Sequence, residues 1–72
     1  MGNTYGQELV KCISYGDREV IYKKIDKCYK YYLDTGKNVF NDDSFGGLTP
    51  FGRACFSGMN DVAIKLIETG CI

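Results

Sequence analysis

The stretch Gly47-Leu48-Thr49-Pro50-Phe51-Gly52-Arg53-Ala54-Cys55-Phe56-Ser57-Gly58-Met59-Asn60-Asp61-Val62-Ala63-Ile64-Lys65-Leu66-Ile67-Glu68-Thr69-Gly70-Cys71 encodes two short helices separated by a glycine. Thr49 offers a side-chain oxygen to the free N–H groups of a first turn, and Pro50 stands where a missing N–H costs nothing. The helix they open covers about Pro50 to Ser57, and Gly58 ends it. A second helix, from about Asn60 to Thr69, sets Val62, Ala63, Leu66 and Ile67 on one side and Asp61, Lys65 and Glu68 on its wet side. Gly70 closes that helix.

The same plan stands upstream. Thr4-Tyr5-Gly6-Gln7 fits a capping box, so a helix starts near Tyr5, with Leu9, Val10, Cys12 and Ile13 along one side. Gly16 is placed to stop it in a left-handed conformation, and Asp17 caps the next helix, its carboxylate favoured by the positive end of the helix dipole. That helix runs from about Arg18 to Asp34. Ile21, Ile25, Cys28, Tyr29 and Tyr32 recur as its buried stripe, Lys23, Lys27, Lys30 and Asp34 form a solvated face, and Gly36 terminates it. From Gly36 to Gly47 turn formers dominate and no helical period is sustained, which predicts an extended, hairpin-like loop.

Helix, glycine turn, helix, loop and then the pair again is an internal repeat. Residues 47–71 resemble an ankyrin repeat along their whole helical portion: the Gly-x-Thr-Pro opening, apolar Phe51, small Ala54 and Cys55, turn glycine Gly58, the pairs Val62/Ala63 and Leu66/Ile67, and closing Gly70. Small side chains at Ala54 and Cys55 let neighbouring pairs approach, and Leu66 and Ile67 fill the space between repeats. Two positions depart from the pattern. Gly52 replaces the histidine that usually ties successive repeats together, and the loop holds one extra residue across Asp43-Ser44-Phe45-Gly46-Gly47. The first repeat keeps Leu9, Cys12, Ile13, Gly16-Asp17, Val20 and Ile21 in equivalent places but lacks Thr-Pro, as terminal repeats often do. Its outer helix is about two turns longer. The expected architecture is therefore all-α: a divergent N-terminal repeat at 4–36, a loop at 37–46, and an ankyrin repeat at 47–72, with further repeats C-terminal to Ile72.

Composition narrows the function. With 72 residues there is room for one small domain, and 44% hydrophobic with 25% charged residues is globular rather than disordered. Nine basic residues balance nine acidic ones, so no net field draws in nucleic acid or an anionic membrane. The apolar runs fall far short of a bilayer span, and no leader pattern stands at the start. Met1-Gly2 begins a myristoylation pattern, but Gly6 occupies the place of the required serine or threonine. The four cysteines, Cys12, Cys28, Cys55 and Cys71, are widely spaced among apolar residues, and the chain has no histidine to complete a zinc site. Reduced, buried thiols and a cytoplasmic location are expected. No histidine, nucleophile elbow or phosphate loop is present, so neither enzyme nor cofactor is expected.

Ankyrin arrays bind proteins through their loop tips and inner-helix surface. The resemblance thus implies a partner-binding surface at Phe40, Asp42, Asp43, Ser44, Phe45, Leu48, Phe56 and Ser57, with Phe45 and Phe56 either as exposed anchors or tucked into the core. Two rival functions stay open. Tyr22 to Tyr32 interleaves lysines and tyrosines, a mixture that can hold phosphates and stack bases. Alternatively, the segment is a structural cap with no partner of its own.

Overall fold

The computed structural model describes residues 5–41 and 48–70, which form four helices and no strand: α1 (Tyr5–Tyr15), α2 (Arg18–Thr35), α3 (Pro50–Phe56) and α4 (Asn60–Glu68). Their ends follow local hydrogen bonds. Asp17 accepts from the Val20 N–H at 3.0 Å at the start of α2, and Thr49 Oγ1 accepts from the Gly52 N–H at 3.1 Å at the start of α3. Gly36, at φ 77°, lets its N–H donate to the Tyr32 carbonyl at 2.8 Å and close α2. Gly16 works differently from the expectation. It is not among the positive-φ glycines; instead its N–H lies 2.6 Å from the Cys12 carbonyl oxygen, and a Cβ would stand 2.8 Å from that same oxygen. Close approach, not handedness, selects glycine there. The Thr4 cap, residues 42–47 and Cys71-Ile72 lie outside the described residues.

The helices pack as two pairs set side by side. α1 packs on α2 and α3 on α4; between the pairs, α1 meets α3 and α2 meets α4, with no cross contact of α1 with α4 or α2 with α3 among the described residues. The direction of stacking is read from polar contacts: Arg18 by an ion pair and Tyr22 by a hydrogen bond, both of α2, reach Asp61 of α4, and Asp26 further along α2 meets Lys65 further along α4. α2 and α4 therefore run parallel, and the ends of α1 and α3 that lead into them lie at one end of the molecule.

One core cluster joins both pairs. Leu9 and Ile13 of α1, Ile21, Ile25 and Cys28 of α2, Ala54 of α3, and Val62, Ala63 and Leu66 of α4 share it with Val39 and Phe40 of the connecting segment. This corrects the placement of Phe40 on a partner surface. The Asn38 side-chain oxygen accepts from the Phe40 N–H at 2.9 Å, and the tight turn drives the ring inward, where it is fully buried. Two stripe residues also depart from expectation, since Tyr29 and Ile67 are exposed. Of the thiols expected to be buried, Cys55 is exposed and Cys12 half-buried, and only Cys28 of the described cysteines lies in the core. Burial pushes the Cys28 thiol up to about 11, which leaves it an unreactive apolar filler.

Candidate protein-interaction surface

The second helices start at Arg18 and Asn60, and aligning those starts pairs Val20 with Val62 and Ile25 with Ile67; the same register pairs Ile13 with Cys55. Exposure reverses within each couple. Ile13 and Ile25 are fully buried whereas Cys55 is exposed and Ile67 is 53% exposed; Val62 is fully buried whereas Val20 is 46% exposed. The cause is positional. Ile13 and Ile25 have the second pair beside them, and Val62 has the first, whereas no described helix stands on the far side of α3 and α4 or on the near side of α2. The far side is apolar, with Ile64 joining Ile67 and Cys55, while the near side carries Lys24 bound to Glu8 at 3.0 Å and Lys27 over the Tyr5 ring.

At the end where both turns lie, Tyr15 closes α1 at 79% exposure and Phe56 closes α3 at 76%. The Arg53 guanidinium lies 5.6 Å from the Phe56 ring centroid, within cation–π range. Of the residues expected to meet a partner, Phe56 and Ser57 are exposed here, Leu48 is half-buried beside Gly52, and Phe40 is core. Asp42, Asp43, Ser44 and Phe45 lie outside the described residues. Tyr15 was missed because a position that ends the first helix carries no motif, although its equivalence to Ser57 through Gly16 and Gly58 was available to find it. Arg53 was missed because helix position alone does not tell which face will be left uncovered.

Comparison with protein-family models, curated proteins and solved structures returns no match.

The groove between α2 and α4 is polar. Asp61 Oδ2 accepts from Arg18 Nε at 2.7 Å and from the Tyr22 hydroxyl at 2.6 Å, and Lys65 bridges to Asp26 at 3.2 Å while lying 5.6 Å from the Tyr22 ring. A cavity of about 220 Å³ continues it, lined by Asp26, Tyr29, Lys65, Glu68 and Thr69. The hydrogen bond from Arg18, then that from Tyr22, holds the Asp61 carboxyl down at about 2. Because the folded state binds its proton less readily than the ordinary carboxyl at 3.8, this contribution to stability is present above that value and lost as pH falls through about 2. Asp61→Asn is thus expected to destabilise the chain at neutral pH and to narrow the gap to the parent as pH falls through that window. Chemical denaturation at stepped pH checks it; a gap that stays constant down to the lowest pH would remove Asp61 as the linkage between α2 and α4.

The lysines of the Tyr22–Tyr32 stretch are engaged within the chain. Lys23 pairs with Glu19, Lys24 with Glu8 and Lys30 with Asp34, and Tyr31 packs its ring 4.5 Å from that of Tyr5. Among the described residues no helix is long and apolar enough to cross a membrane.

Proposed function

We propose that this chain is a non-enzymatic protein-binding scaffold built from two tandem helix pairs of the ankyrin kind, whose far face receives a further pair. The observation that supports it most is the reversal of exposure between Val20 and Val62, Ile25 and Ile67, and Ile13 and Cys55. In a repeat array each unit contacts only its neighbours, so equivalent positions differ only by which neighbour is present. The side-by-side packing of α1 on α3 and α2 on α4 agrees with such stacking. An array of this kind presents its first helices to partners, and on those helices Tyr15 and Phe56 stand bare. Exposed aromatic residues are the strongest hot-spot formers in protein interfaces.

Array stability is roughly a sum of unit and nearest-neighbour terms, and that sum tests the reading. Appending one consensus capping repeat after Ile72 covers Cys55, Ile64 and Ile67; a higher melting temperature and weaker self-association are expected. A parent chain that is already monomeric, with a melting temperature unmoved by the added repeat, rules the array reading out.

A further inference from the structure

We infer that the face formed by α1 and α3 takes an acidic segment of a partner protein, with Arg53 as the carboxylate-binding residue and Phe56 as the apolar anchor beside it. The inference rests on the protein-binding reading above and specifies its partner.

Charge is segregated among the described residues. α1 and α3 together hold a single carboxylate, Glu8, and it is already bound to Lys24 at 3.0 Å. Their basic residues are Lys11, one helical turn before Tyr15 on α1, and Arg53, one turn before Phe56 and Ser57 on α3. The described acids other than Glu8 belong to α2, α4 and the turn residue Asp17, and those nearest this end are occupied: Asp17 caps α2 through the Val20 N–H, Glu19 pairs with Lys23, and Asp61 holds Arg18. The first-helix face is thereby basic and aromatic, while the second-helix face carries the acids.

Arg53 supplies the more specific sign. Its Nε is buried and has no hydrogen-bond partner among the described residues, and its guanidinium is set against the Phe56 ring. That buried atom is closed to a partner, so a carboxylate meets the guanidinium at its two terminal nitrogens, neither of which is a buried atom without a partner. The planar guanidinium binds a carboxylate through two parallel N–H groups, a geometry that a lysine ammonium does not reproduce. The guanidinium carbon 5.6 Å from the Phe56 ring centroid keeps the charge beside the ring, and the exposed ring offers apolar surface to a partner side chain. Charge complementarity thus favours a protein segment in which acidic residues flank a leucine or tyrosine.

The test uses the whole chain and three probes: a labelled peptide of repeated Asp-Glu-Tyr-Asp-Leu units, its counterpart with every acid replaced by the amide, and an oligothymidylate. The acidic peptide is expected to bind, to shift the backbone amides of Lys11, Tyr15, Arg53 and Phe56, and to weaken as salt rises. Arg53→Gln should lower its affinity by about tenfold or more, as loss of a charged hydrogen bond does, with Phe56→Ala lowering it comparably. Arg53→Lys keeps the charge and should rescue only part of the loss; this variant covers the case in which Arg53→Gln does not fold. Equal binding of the amide peptide at the same amides overturns the acidic specificity and leaves the protein-binding reading intact. Binding of neither peptide, or shifts confined to Lys23, Lys27 and Lys30, overturns the proposed face. Tighter binding by oligothymidylate at these amides replaces a protein partner with nucleic acid.

Discussion

Phe40→Ala is expected to destabilise the chain by about 3–5 kcal/mol, the range for deleting a fully buried aromatic ring from a core. Phe40 is the bulkiest fully buried side chain among the described residues, and it shares one cluster with residues from all four helices. The ring is packed within that cluster, and its removal leaves a cavity there. A chain of this length has a total stability of roughly 4–11 kcal/mol, so the variant should be largely unfolded or melt far below the parent. Urea denaturation followed by circular dichroism measures it. A change under about 1 kcal/mol, accompanied by loss of partner binding, would return Phe40 to the surface role that its loop position first implied.

The second large effect is a contrast between equivalent residues. Ile25→Ala should cost about 2–5 kcal/mol because Ile25 is fully buried between the pairs. Ile67→Ala, the same substitution at the matching position, should stay within about 1 kcal/mol, because half its surface already faces solvent. The comparison holds residue type and helix position constant and varies only the neighbour. Appending a repeat should turn Ile67→Ala into a costly substitution while leaving the cost of Ile25→Ala unchanged. Similar costs for both residues in the parent chain would mean that α4 is covered in solution, by self-association or by a different packing.

Much of the local structure was legible in the sequence. Asp17, Gly36, Thr49-Pro50 and Gly58 marked their helix boundaries, and the structure sets those ends at or within a residue or two of the expected places. Each of these signals acts through hydrogen bonds or φ values spanning at most four residues, so sequence neighbours suffice to read it. Gly16 shows the limit. The residue type was right but the reason was wrong, because the room for a Cβ, which would stand 2.8 Å from the Cys12 carbonyl oxygen, depends on the path of the turn and leaves no mark in composition.

The sequence by itself determined that this chain is helical, where its helices begin and end, and which stripe of each is apolar. Only the tertiary structure decided which apolar residues are covered. The helical period assigned Leu66 and Ile67 to the same stripe, yet one is buried and the other exposed, since coverage depends on whether a helix stands on that side. It also decided that Phe40 turns inward, and that Arg18, Tyr22 and Asp61 converge across 43 and 39 residues of chain. Periodicity fixes the direction of a side chain relative to its own helix axis. Packing between helices, which no local signal encodes, fixes what that side chain meets.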